Sequence, residues 1–173
     1  MPERRTTVVT GGASGIGQAA ARRFARGGDF VVIADLNEEA GQNTVDQIRE
    51  MNGKSVFISL DVTSEESVSV MADSVEVNHG PIGALINSAG IIHNPETITE
   101  FNLQEFDAIH SVNYRGTFLC CREIGTRMQN RGDGVIANIG SMLSFVPYQV
   151  TAYTAGKAAL KTLTEILAAE MGE

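Results

Sequence analysis

Tyr153 and Lys157 stand four residues apart at the start of a helical pattern, so their side chains share one face. An ammonium beside a phenol favours the phenolate. A phenol biased in this way can give and take protons near working pH. Ser141 closes a β-like run 12 residues before Tyr153, and a loop of that length can fold its hydroxyl back towards the phenol. Each signal is commonplace by itself. Tyr/Lys pairs at this spacing are mostly solvated surface, and a serine at a strand end is usually a cap.

A second constellation lies near the N-terminus. Thr10-Gly11-Gly12-Ala13-Ser14-Gly15-Ile16-Gly17 falls between a strand-like run and a helical one, where a phosphate-binding turn belongs. Gly11, Ser14, Gly15, Ile16 and Gly17 are its candidate contacts, because glycines admit the pyrophosphate and the helix start offers free N–H groups. The competing reading is a plain tight turn. Asp35 ends the second strand 18 residues after Gly17, where a carboxylate meets the hydroxyls of an adenosine ribose. Such a carboxylate repels a 2′-phosphate. Leu36 follows it instead of an arginine, and Ser14 brings no positive charge, so the pattern favours NAD over NADP. Asp35 also reads as an acid leading into the helix cap Asn37. Asp61-Val62 and Asn87-Ser88-Ala89-Gly90 follow the third and fourth strands, at the carboxyl ends where ligands bind open parallel sheets. Asp61, Val62, Asn87, Ala89 and Gly90 are therefore cofactor candidates, although each segment alone reads as a loop.

These residues need a scaffold, and the remaining pattern supplies one. Strands are expected at 6–10, 30–34, 55–60, 84–87 and 134–139. Helices are expected at 15–26, 38–51, 64–78, 102–129 and 152–171. Thr63 and Glu66 have the spacing of a capping box at the third helix. Strands apolar throughout and separated by helices imply a doubly wound parallel sheet, an α/β Rossmann-like fold with at least five strands and helices on both faces. No linker divides residues 1–173, which are expected to form one dinucleotide-binding and catalytic domain.

Composition sets limits on this reading. The chain has 173 residues, 43% apolar and 20% charged, with a net charge of −8. An acidic surface disfavours nucleic acid, while backbone N–H groups can still take a small phosphorylated ligand. No apolar run is long enough for a membrane span, and no signal segment follows the first arginines. Cys120 and Cys121 are neighbours on a helix and point apart, so they are expected to be reduced packing residues of a cytoplasmic protein. No metal set is expected.

Taken together, these motifs resemble the short-chain dehydrogenase/reductase family from about Thr6 to the end. The Gly-rich turn and Asn87-Ser88-Ala89-Gly90 match two of its motifs, with Ser88 in place of the commoner Asn. Asn113, Ser141, Tyr153 and Lys157 fall at its active-site positions. The resemblance implies hydride transfer between NAD(H) and an alcohol or carbonyl carbon. It makes Tyr153 the general base, and Ser141 the group that orients the substrate oxygen. Lys157 would bind the nicotinamide ribose, and Asn113 would anchor a water leading from Lys157 to solvent. His93, Leu143 and Gln149 are weaker candidates for touching substrate, and a surface position for His93 is an equal alternative. The stretch 141–145 resembles sugar-acid and polyol dehydrogenases of the family, with a 3-oxoacyl reductase also open.

Family members continue beyond the last helix with further strands, a Pro-Gly segment and a substrate loop. A fragment of a longer enzyme is therefore expected, with a complete short variant as the competing explanation. The competing functions are a non-catalytic NAD(H)-binding fragment or redox sensor, and a purely structural domain. The family forms dimers and tetramers through its long and last helices. Here these are 102–129, carrying Phe118, Cys120, Cys121, Ile124 and Met128, and 152–171, carrying Ala155, Leu163, Ile166 and Leu167. A homo-oligomer is expected, with packing on the chain's own sheet accounting for part of that apolar surface.

Overall fold

Five short β-branched runs form one parallel sheet, and the segments between them cross over as helices. The computed structural model describes residues 5–146 and 148–172. The readings of residues 1–4 as a leaderless start and of residue 173 as a chain end lie outside them. The order is β1 (Thr6–Thr10), α1 (Gly15–Arg26), β2 (Phe30–Asp35), α2 (Glu38–Glu50), β3 (Lys54–Ser59), α3 (Glu65–His79) and β4 (Ile82–Asn87), then α4 (Leu103–His110), α5 (Thr117–Arg131), β5 (Val135–Asn138) and α6 (Thr151–Met171). The strands lie in the order β3-β2-β1-β4-β5, all parallel, with Thr10 opposite Ala34 and Asn87 on its two sides. Asn87 in turn pairs with Asn138 of β5.

β1 is buried along its whole length, because both faces of a parallel sheet are covered. Successive side chains alternate between those faces. Val8 joins Val32, Met71, Leu85 and Ile124 in one core. Val9 joins Ala21, Ile33, Ile48 and Ile86 in the other. Burying each of these valine, leucine, isoleucine and methionine side chains contributes about 1.5–3 kcal/mol. From β1 the chain first builds outwards through β2 and β3, then returns to place β4 on β1's other side. A crevice opens at the carboxyl ends of strands where the winding reverses in this way. Thr10, Asp35 and Asn87 all end there.

The expected fold class is the one observed, with several local differences. Ser64, not Thr63, caps α3: its side chain accepts from the Ser67 N–H at 3.2 Å. Thr63 instead donates its hydroxyl to Asp61 at 2.7 Å, so the capping-box spacing was coincidental. β3 begins and ends one residue earlier than expected, and β4 begins at Ile82. The single long helix expected over 102–129 is interrupted by a π-helical stretch at Ser111–Gly116. A 3-10 turn at Met142–Ser144 precedes α6. Cys120 and Cys121 are buried and unbridged. Burial pushes Cys120 up to about 12 and Cys121 to about 11, so both remain thiols.

Candidate active site

The turn after β1 is held tightly against the strand ends. The Gly11 N–H donates to Ala34 O at 2.9 Å. The Thr10 hydroxyl accepts from the N–H groups of Ser88 and Ala89 at 3.2 and 3.3 Å, which binds the two loops together. Gly17 packs so closely that a Cβ there would stand 2.1 Å from Gly11 O. Gly15 has φ +52, and a Cβ on it would meet only open space. α2 and α3 each carry two acidic residues in the first turn, whereas α1 carries none, and its N-cap Ser14 makes no side-chain cap bond. The N–H groups and positive dipole end of α1 are thus left for an external anion.

A cleft of about 470 Å³ opens over this turn. Gly11, Ser14, Gly15, Ile16, Asp35, Leu36, Asp61, Val62, Ala89 and Gly90 line it from the nucleotide side, and Tyr153 and Lys157 line it from the other end. Gly17 and Asn87 stand behind the wall. Asn87 donates to Asn138 Oδ1 at 2.8 Å, and so aligns two strand ends. The Asp35 carboxylate accepts from the Ala13 N–H through one oxygen and the Asn37 N–H through the other, each at 3.0 Å. Two bonds to backbone hold the carboxylate at the cleft edge, with lone pairs remaining for further donors. The cradle fits a dinucleotide: open space at Gly15, a helix start without acids, and an oriented acceptor one strand away.

Tyr153 and Lys157 sit in the first two turns of α6. Lys157 is 6% exposed, and its Nζ donates to Ile139 O at 2.6 Å. That nitrogen lies 5.8 Å from the centre of the Tyr153 ring. Burial lowers the Lys157 ammonium from its ordinary value, since an ion loses solvation when taken from water. Ser141 heads the 3-10 turn, where its Oγ accepts from the Leu143 N–H at 3.1 Å. Ser144 fastens the same turn to α6 by donating to Lys157 O at 2.9 Å.

Asn113 is fully buried within the π-helical stretch. Its Oδ1 accepts from the Ile91 N–H and its Nδ2 donates to Ile91 O, both at 2.8 Å. Both ends of the amide are thus occupied, so the side chain clamps the loop after β4. Ser141, His93, Leu143 and Gln149 stand outside the cleft lining. His93 is buried, not at the surface: its ring packs 4.3 Å from Phe101, and its Nδ1 lies 2.6 Å from Asn94 O. The cleft also takes Ile91, Ile92, Val112 and Ile139, which sequence reasoning did not single out. Helix-poor Ser-Val-Asn-Tyr-Arg-Gly in mid-helix was the one available signal for the π stretch.

Residues 5–173 match the sequence pattern described as short chain dehydrogenase. D-threitol dehydrogenase of Mycolicibacterium smegmatis is 36% identical over 169 residues, which cover 97% of this chain and 65% of that protein. The 2,5-dichloro-2,5-cyclohexadiene-1,4-diol dehydrogenase LinX of Sphingobium indicum is 38% identical over 168 residues, covering 96% of this chain and 66% of that one. The crystal structure of NAD+-bound xylitol dehydrogenase superposes with a TM-score of 0.94 at 30% identity, covering 97% of this chain and 65% of that chain. This chain spans 61% to 67% of the length of the first curated relatives it matches.

Proposed function

The chain belongs to the short chain dehydrogenase family, and from that premise we propose that it transfers hydride between NAD(H) and a small alcohol or its carbonyl product. One observation carries the reading: the Gly-rich turn, Asp35, Tyr153 and Lys157 face a single cleft. The nicotinamide, when bound, supplies the hydride acceptor or donor. The protein's part is to hold the reactants and move the proton. In oxidation the Tyr153 phenolic oxygen takes the hydroxyl proton, and in reduction it returns one. Ser141 Oγ donates to the same substrate oxygen and orients it. Lys157 keeps N–H donors for the nicotinamide ribose beyond the one spent on Ile139. Its charge also stabilises negative charge on the phenolic oxygen. Asn113 holds Ile91 on the cleft wall through its side chain, and its main-chain oxygen, which accepts from the Thr117 hydroxyl at 3.0 Å, would share its remaining acceptor capacity with a water carrying protons away from Lys157.

Asp35 selects NAD over NADP, because a carboxylate facing a 2′-phosphate is repelled and no cation replaces Leu36 or Ser14. Leu143 and Gln149 are assigned to the substrate side with Ser141, and His93 supports that side from behind the wall. The relatives named for threitol and a cyclic diol make small polyols and cyclic alcohols the first substrates to try. Residues 1–173 act as one unit, assembling as a homo-oligomer through the helices 102–129 and 152–171. Two buried, unbridged cysteines suit the reducing cytoplasm.

The test is NAD+ reduction, followed by nicotinamide absorbance, over a panel of such alcohols with wild type and Tyr153→Phe. Turnover should fall by about a hundredfold or more in the variant, while NADH affinity stays within a few fold. Near-wild-type turnover in Tyr153→Phe would sink the mechanism. A second reading is NAD(H) binding without turnover. Saturable NADH binding with no turnover on any alcohol would favour it.

A further inference from the structure

We propose that Asn138 and Thr164 are positioning residues for Lys157, forming a second latch that sets helix α6 on the end of β5. Among the described residues, two polar contacts join α6 to the β5 end. One is Lys157 Nζ to Ile139 O at 2.6 Å. The other is Asn138 Nδ2 to Thr164 Oγ1 at 2.9 Å. Asn138 immediately precedes Ile139, and Thr164 lies seven residues after Lys157, two helical turns further along the same face. A helix pinned at one point can rotate or slide about it. Pins at two points roughly 10 Å apart fix both rotation and register.

The hydrogens in this latch are assigned by exclusion. Thr164 spends its one hydroxyl hydrogen on Leu160 O at 2.8 Å, so its oxygen can only accept from Asn138. That turns Asn138 Oδ1 towards β4, where it accepts from Asn87 Nδ2 at 2.8 Å. The Cys121 thiol donates to the same oxygen at 3.6 Å. Asn87, Asn138, Cys121 and Thr164 thereby chain β4, β5, α5 and α6 together, at the residue just before the carbonyl that holds Lys157. The chain ties the four side chains in series, with Asn87 Oδ1 the one oxygen in it left without a partner, and the bonds within it limit how far any one of them can move.

The inference rests on reading Lys157 as an active-site cation, but its test uses neither dinucleotide nor substrate. The chain has three lysines, Lys54, Lys157 and Lys161, so NMR of lysine labelled with heavy carbon at Cε gives three resonances to follow through a pH titration. Thr164→Val keeps the shape and removes the latch. The Lys157 resonance should move, and its midpoint should climb towards the ordinary 10.5, while Lys54 stays fixed. Thr164→Ser should match wild type. Thr162→Val, on an exposed threonine of the same helix, should also leave Lys157 unchanged. If Thr164→Val does not unfold cooperatively, Thr164→Ala makes the same cut in a residue that favours helix. A folded Val or Ala variant with Lys157 at its wild-type position and midpoint would overturn the proposal. So would a Ser variant that shifts as far as Val. Failure of NADH to bind would count against the dehydrogenase reading alone and leave this result standing.

Discussion

At the residue scale the account turns on one buried charge. Lys157 is 6% exposed and bonds a backbone carbonyl instead of a carboxylate, and burial lowers its proton affinity. Between that lowered value and the ordinary 10.5, the folded protein binds fewer protons than the unfolded chain, so the unfolding free energy rises with pH across the interval. Below the interval the cost of burying the charge is present in full. Denaturant unfolding of wild type and Lys157→Met over this range should show a rise in wild type that the variant lacks; parallel curves would contradict it. That Tyr153 and Lys157 face one cleft was legible, because the two side chains stand at helical spacing. Their supports were not. Lys157 is held by Ile139 O and Asn113 by the Ile91 backbone, and a carbonyl has no residue type to announce it. His93 misled for a related reason: its burial depends on Phe101, which no local pattern foretells.

At the element scale, the strands and the first three helices were readable because periodicity and apolar runs state them locally. The π stretch was not; its Asn113 is clamped to the Ile91 backbone in the loop after β4, a contact that only the folded chain contains. Removing that contact should be costly. Asn113→Ala leaves the Ile91 N–H and carbonyl without partners, and should cost about 2 kcal/mol or more in chemical denaturation. A variant within a few tenths of wild type would show that the clamp is idle. The Gly-rich turn offers a sharper pair. Gly17→Ala drives a Cβ into Gly11 O and should cost about 1–3 kcal/mol while abolishing NADH binding. Gly15→Ala meets no atom and carries only its φ of +52, so it should cost about 1 kcal/mol. Its effect should fall mainly on affinity. Equal thermal shifts in the two variants would refute the close-packing account.

For the whole molecule, the parallel sheet follows from alternation of runs and helices, while its strand order follows from packing that no single segment encodes. The order β3-β2-β1-β4-β5 puts the crevice between β1 and β4 and leaves β5 as an edge strand. It also turns parts of α5 and α6 outwards, with Phe118 40% and Ile166 48% exposed. If these faces join copies of the chain, Phe118→Arg should lower the sedimenting mass of the wild-type assembly without changing NADH affinity. An unchanged mass would move the interface elsewhere. The central claim remains that this fold assembles a dinucleotide site read by Asp35. Its most direct test is titration of the folded 173-residue chain with NADH and NADPH, followed by nicotinamide emission, which no tryptophan obscures. The account predicts saturable NADH binding, tighter than NADPH by about tenfold or more. No binding by a folded sample, or NADPH bound as tightly as NADH, would contradict it.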